Sequence, residues 1–211
     1  MDKYHKIQTV YKRDPDNKFK TLLEGEYSTS ELELLTDIQW LWTEKIDGTN
    51  IRILYNHSLG KVEYRGKTDN AQIYPGLNNH LRAAFPVSLL SSIFDCDVCL
   101  YGEGFGAKIQ SGGKYLPDHQ SFCLFDIKVG DYWLERSSVV DIGHQMDCNI
   151  VSECGIGTLK EAIAFVRNSF TSVYNGAPAE GLVMRPIIEL LDRRGERIIT
   201  KIKVKDFRYG Y

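Results

Sequence analysis

The segment Lys45-Ile46-Asp47-Gly48-Thr49-Asn50 sets a primary amine just before an Asp-Gly turn signal and the opening of a strand. The amine is then exposed at a strand end and poised over a cleft. On its own, such a lysine is an ordinary surface residue before a hairpin. Five further blocks change that reading. Tyr64-Arg65-Gly66-Lys67-Thr68 puts two cations just beyond the next strand. Tyr101-Gly102-Glu103-Gly104-Phe105-Gly106 sets one carboxylate among glycines, where backbone can approach a ligand closely. Phe125-Asp126-Ile127-Lys128 sets an aromatic ring beside an acid in a strand. Ala179-Glu180-Gly181-Leu182-Val183-Met184-Arg185 brings another carboxylate at the start of a buried strand. Lys201-Ile202-Lys203-Val204-Lys205 alternates with strand period, which puts three ammonium groups on one face. Like charges on one strand face repel unless an anion lies against them.

These types fit nucleophilic chemistry at phosphorus. A lysine attacks only as the free amine, and at a reference pKa of about 10.4 only about one-thousandth is neutral near pH 7.4. The cations Lys203 and Lys205, with a divalent ion, would favour the neutral form and offset charge on a phosphate under attack. Glu103 and Glu180 are the hard oxygen donors available for Mg²⁺ or Mn²⁺. Phe125 offers a flat face for a base, although a strand phenylalanine alone reads as core. Asp126 alone would cap a turn. Asn50 carries an amide suited to a ribose or phosphate, and Arg65 or Lys67 would contact the ribose or a phosphate. Glu44 would read a nucleobase amine or lie on the surface. Lys108 and Gln110 belong to a Gly-rich loop placed to cover a 5′-phosphate end. Residues 102–108 lack the phosphate-loop spacing, and Gly155-Ile156-Gly157 lacks the βαβ setting of a dinucleotide site.

The elements that must position these groups read as strands in clusters with irregular helices. Strands are expected at 50–55, 61–64, 96–101, 121–129, 132–134, 181–185 and 197–204. A short helix is expected at 30–35 capped by Ser28 or Ser30, another at 76–84, and the clearest amphipathic helix at 158–170. The class is therefore α+β with largely antiparallel sheets and flanking helices. No segment reads as a linker, so residues 1–211 are expected to form one domain.

Composition narrows the context. The 211 residues are 43% hydrophobic and 26% charged, which fits a globular chain rather than a disordered one. The formal net charge of −2 argues against blanket binding to nucleic acid or membrane. Seven basic residues against two acidic ones lie between Arg193 and Arg208, so the positive charge is local. No apolar run approaches a bilayer span, and the start Met1-Asp2-Lys3 carries no secretory signal. Five cysteines, an odd number, argue against a disulfide framework, and Cys96-x-x-Cys99 has no second pair to complete a zinc site. The expectation is a soluble protein of a reducing, cytoplasmic or other intracellular compartment.

The order and wording of the six blocks resemble the covalent nucleotidyltransferase superfamily of RNA ligases, DNA ligases and mRNA capping enzymes, most of all the phage RNA ligase 2 type. The resemblance spans residues 40–207. It makes Lys45 to Asn50, with Ile46, motif I, where Asn50 stands in place of the arginine usual in DNA ligases and capping enzymes. Arg65 and Lys67 fall at motif Ia, Glu103 at motif III, Phe125-Asp126 at motif IIIa, Glu180-Gly181 at motif IV and Lys203-Val204-Lys205 at motif V. It implies an ATP-grasp-like nucleotidyltransferase domain in which Lys45, Lys203 and Lys205 are catalytic. The nucleotide set would be Glu44, Lys45, Ile46, Asn50, Arg65, Lys67, Glu103, Phe125, Asp126, Glu180, Lys203 and Lys205, and the metal set Glu103 and Glu180.

The implied activity is ATP-dependent joining of RNA 5′-phosphate and 3′-hydroxyl ends through lysyl-AMP, as in RNA repair, with a phage or viral origin left open. Alternatives are DNA ends or GTP on the same fold, or a catalytically idle nucleic-acid-binding module. The chain ends at Tyr211 soon after motif V, so no C-terminal OB-fold or helical domain is expected. Residues 1–38, or a partner protein in trans, would then supply nucleic-acid contacts.

Overall fold

The computed structural model describes residues 3–207. Met1, Asp2, Arg208 of the basic run and the chain end at Tyr211 lie outside the described residues. The early strands are β1 (Gln8–Thr9), β2 (Tyr11–Arg13), β3 (Leu22–Tyr27), β4 (Trp40–Lys45), β5 (Thr49–Asn56) and β6 (Lys61–Gly66). They are followed by β7 (Val98–Gly106), β8 (Gln120–Val129), β9 (Tyr132–Trp133), β10 (Asn149–Ile150), β11 (Glu153–Gly157), β12 (Gly181–Pro186) and β13 (Thr200–Lys203). The helices are α1 (Ser30–Leu34), α2 (Pro75–Ala84), α3 (Val87–Ile93), α4 (Arg136–Gln145) and α5 (Leu159–Arg167). Most strand pairs are antiparallel, and the parallel ones, β1 with β13 and β10 with β8, are two residues long. The α+β class stands. Among the described residues no helix is long and apolar enough to cross a membrane.

The described residues divide into two compact units: residues 3–5 with 47–151, and residues 6–46 with 152–207. The first carries a sheet in the order β10-β8-β7-β5-β6, with β9 added on β8. Strand alternation sorts its residues cleanly. Ile51, Ile53, Leu100, Phe122 and Leu124 face a core closed by Leu77 and Leu81 of α2, Leu90 of α3 and Val139 of α4. Burial of each such side chain contributes about 1.5–3 kcal/mol. Asn50, Arg52, Tyr101 and Glu103 alternate with these residues and therefore occupy the opposite face.

The second unit carries the order β1-β13-β12-β4-β11 and the small β2-β3 pair. Its core sets Trp40, Leu182, Met184 and Ile202 against Leu159, Ala162, Ile163 and Val166 of α5. That helix matches its sequence periodicity, and Thr158 with Glu161 closes its first turn as a reciprocal capping box.

Several boundaries differ from expectation. Helix α1 is capped by Thr29, not Ser28 or Ser30. Strand β7 runs on through the glycine-rich stretch to Gly106. The glycines beside Glu103 are explained by packing: a Cβ on Gly102 would meet Phe122 Cζ at 2.2 Å and the Cys123 carbonyl oxygen at 2.5 Å. At its C-terminal end β13 stops at Lys203, and Val204–Phe207 winds into a 3₁₀ turn.

Gly102→Ala is therefore expected to destabilise the protein by about 2 kcal/mol through overpacking, read as a lower urea midpoint. Gly113→Ala, with open space at its Cβ, should leave the midpoint unchanged.

Candidate functional site

In the second unit three neighbouring strands converge on one carboxylate. Gly181 of β12 is the Cα partner of both Lys45 on β4 and Lys203 on β13. Glu180, the residue before it, receives both ammonium groups: Lys45 Nζ donates to Oε2 at 2.6 Å, and Lys203 Nζ pairs with Oε1 at 2.5 Å. A side chain at 181 is impossible, since a Cβ there would lie 2.1 Å from the Ile202 carbonyl oxygen. The Glu-Gly pair is thus one device: glycine lets the strands close, and glutamate takes the two cations this closure brings together.

Glu180 is 10% exposed at its side chain. Burial pushes its carboxyl up, but the Lys45 charge and the hydrogen bonds from Lys203 and Lys45 outweigh that and hold it below the ordinary carboxylate value of 4.5.

The expectation of three ammonium groups on one strand face fails at Lys205. Because the chain leaves the strand after Lys203, Lys205 is exposed on the 3₁₀ turn. Buried Asp206 holds that turn, accepting from the Lys203 backbone N–H at 3.1 Å and from Arg13 Nη2 at 2.8 Å. Glu44 is not a surface residue but 2% exposed. Its charge lies near Cys154, whose thiol is pushed up to about 12, first by burial and then by Glu44. Ile46 is buried too.

The first unit sets Asn50, Arg65, Glu103 and Asp126 on one sheet face. Asn50 and Glu103 are direct cross-strand partners. The Asn50 Oδ1 atom is buried and accepts no hydrogen bond among the described residues, which marks a place for a ligand donor. Phe125 is the extra residue of a β-bulge: Tyr101 pairs with Asp126 and Gly102 with Leu124, so Phe125 is skipped. The bulge turns its ring out of the core and leaves it half-buried. Asp126 is fully buried, and Tyr4 Oη donates to its Oδ2 at 2.8 Å. The Tyr4 ring lies edge-on to Phe125, with centroids 5.0 Å apart, and edge-on to Trp133 at 5.5 Å.

Arg65 pairs with Glu63 and Asp69, while Lys67 is exposed in the loop beyond β6. Lys108 and Gln110 both adopt left-handed backbone, φ 66° and 47°, which turns them outward on either side of buried Ile109. No group of three or more His, Cys, Asp or Glu residues poised for a metal occurs among the described residues.

Sequence reasoning missed Tyr4, Arg52, Trp133 and Asp206. Only Arg52 left a sequence signal, a cation in a strand otherwise apolar from Ile51 to Leu54.

The model of the RNA ligase family matches residues 38–203. Among curated proteins, none matches the sequence. The fold is similar to that of solved RNA ligase structures from Naegleria gruberi. One, a mutant with ATP and Mn, has a TM-score of 0.70 at 16% identity, over 96% of this chain and 56% of that one. Another mutant with ATP and Mn gives 0.65 at 16% identity over 82% and 52%, and a form with PPi gives 0.66 at 17% over 93% and 56%. At these identities the likeness is one of fold, and this chain spans little more than half the length of each.

Because the folded Glu180 value is depressed, its ion pairs contribute stability that is fully present above pH 4.5 and lost as pH falls through the lower folded value. Glu180→Gln is expected to cost about 2 kcal/mol near neutral pH and to flatten this acid limb, read from urea melts at a series of pH values.

Proposed function

This chain belongs to the RNA ligase family, and from that premise we propose that it is an ATP-dependent RNA ligase working through lysyl-AMP on Lys45. The observation that carries the reading is the Lys45–Glu180–Lys203 cluster at adjoining strand positions. A lysine fixed by a carboxylate and flanked by a second ammonium group is both oriented and charge-matched to a phosphate. In the first step Lys45 Nζ gives up a proton to water and attacks the α-phosphorus of ATP. An N–P bond forms, the bond to the β-phosphate oxygen breaks, and pyrophosphate leaves. Lys203 offsets the charge that grows on the α-phosphate oxygens. The adenylate then passes to an RNA 5′-phosphate, and a 3′-hydroxyl displaces AMP with in-line geometry.

The remaining residues take roles that suit their surroundings. The ring of Phe125, turned outward by its bulge, stacks on the base. The Asn50 oxygen, buried without a donor, accepts from a ribose hydroxyl. Glu103, its cross-strand partner, lies on the same face. Lys205, Lys108 and Gln110 are exposed and suit the polyanionic strand.

A divalent ion, Mg²⁺ or Mn²⁺, supplies charge neutralisation at phosphate oxygens when bound. Glu180 in the second unit and Glu103 in the first are each a carboxylate donor suited to such an ion. Glu180 fits, because it is kept ionised and already balances two positive charges. The Naegleria structures with ATP and Mn and with PPi support this choice of substrate and metal. An RNA-repair role, and contacts from a second protein or domain in trans, belong to the same proposal.

Incubation with α-labelled ATP and Mg²⁺ or Mn²⁺ is expected to give an acid-labile protein adduct, absent in Lys45→Ala and reduced about 100-fold in rate in Lys203→Ala. Label from GTP alone would redirect the assignment to another nucleotide. No label under any condition would leave only a nucleic-acid-binding module.

A further inference from the structure

The row Arg65, Arg52, Tyr101 and Asp126 runs in register across β6, β5, β7 and β8. Arg52 is its odd member. The residue is 1% exposed, and an ionised guanidinium so far from water is costly without strong partners. Its direct cross-strand partner is Arg65, a second cation, and like charges directly opposed repel.

Asp69 resolves the conflict. A single oxygen, Oδ1, receives Arg52 Nη2 at 2.7 Å and Arg65 Nη1 at 3.2 Å. Arg52 Nε donates to the Gly66 carbonyl at 3.1 Å, which fixes the plane of the fork. Glu63 binds Arg65 but has no ion pair with Arg52. The two sides of the pairing differ in character. Arg52 is rigid and buried, whereas the Asp69 side chain is 57% exposed on the loop after β6. The hydrogen bonds from Arg52 and Arg65 hold the Asp69 carboxyl below its ordinary range.

We propose that Arg52 and Arg65 form a phosphate-binding site and that Asp69 is its internal occupant, displaced when a phosphate group arrives. Two guanidinium forks converging on one oxygen are built for an oxyanion with several acceptors, and a phosphate offers more charge and more oxygens than one carboxylate. Displacement is feasible because the leaving carboxylate moves only into water it already touches. The latch also explains how the free protein tolerates the two cations. Along β5, Arg52 lies two residues from Asn50 on the same face, about 7 Å away, and exposed Lys67 follows Gly66 in sequence. The phosphate comes either from the polyphosphate tail of a nucleotide or from an RNA strand. That choice of sources rests on the ligase reading, whereas the anion site itself does not.

The test is calorimetric titration of the full chain with pyrophosphate and, separately, with a short 5′-phosphorylated RNA, with no catalytic step required. If Asp69 fills the site nine-tenths of the time, Asp69→Ala and Asp69→Asn should each tighten one ligand about tenfold. Glu63→Gln removes the same charge from Arg65 and Lys61 but not from Arg52, and should change affinity less than about twofold. Adding Arg52→Gln to Asp69→Ala should abolish the gain, with Arg52→Lys, which keeps the charge but loses the fork, as a second variant should the first not fold. A gain for pyrophosphate alone assigns the site to the nucleotide tail, and one for RNA alone assigns it to the strand. Unchanged or weaker binding in both Asp69 variants overturns the proposal, as does an equal gain in Glu63→Gln. Tighter phosphate binding with no lysyl-AMP label would remove the ligase reading and leave the site standing.

Discussion

One carboxylate shared by two ammonium groups governs the second unit. Glu180 draws Lys45 and Lys203 together from strands on either side of β12. The strands approach that closely only because Gly181 has no side chain. The result stabilises the fold and restrains the chemistry at once. The shared carboxylate holds Lys45 on one oxygen and Lys203 on the other. A triphosphate brings negative charge to the two lysines, and a divalent cation brings positive charge to the carboxylate. Of the two, the cation acts in the direction the proposed reaction needs, by drawing the carboxylate away from the lysines.

The first unit solves a different problem, the sorting of one sheet into an apolar face and a charged one. Alternation along β5 and β7 sends Ile51, Ile53 and Leu100 into the core and leaves Asn50, Arg52 and Glu103 opposite. A single bulge at Phe125 breaks the alternation, and it does so where an aromatic ring is wanted outside the core. Tyr4 then secures the neighbouring Asp126 from a point 122 residues earlier in the chain. Whereas Arg65 is held by its sequence neighbours Glu63 and Asp69, Asp126 on the same face takes a long-range partner. Arg52 with Asp69 is the same principle on a shorter span.

The order of the chemical blocks, the α+β class, the β5–β6 hairpin and the amphipathic helix α5 follow from the sequence, because each rests on local spacing. A period of two or of 3.6 residues, a Gly-containing turn and a capping pair are complete within a dozen residues. The charge conflict between Lys201 and Lys203 is also legible and demands an anion, whereas Lys205 has left the strand. Glu180 is that anion for Lys203, yet nothing in the spacing of Lys203 and Glu180 announces their contact.

Tertiary structure alone decided the rest. Lys205 leaves the strand because buried Asp206 and Arg13 pin a 3₁₀ turn. Glu44 goes inside although it neighbours a site lysine, since successive strand residues point to opposite faces. The glycines beside Glu103 accommodate packing, with Phe122 pressed against Gly102, rather than a ligand. The bulge at Phe125, the Tyr4 contact and the paired arginines depend on which strands become neighbours and in what register. Local sequence fixes which groups the chain can present, whereas sheet pairing, paid out over separations of tens to more than a hundred residues, fixes which of them meet.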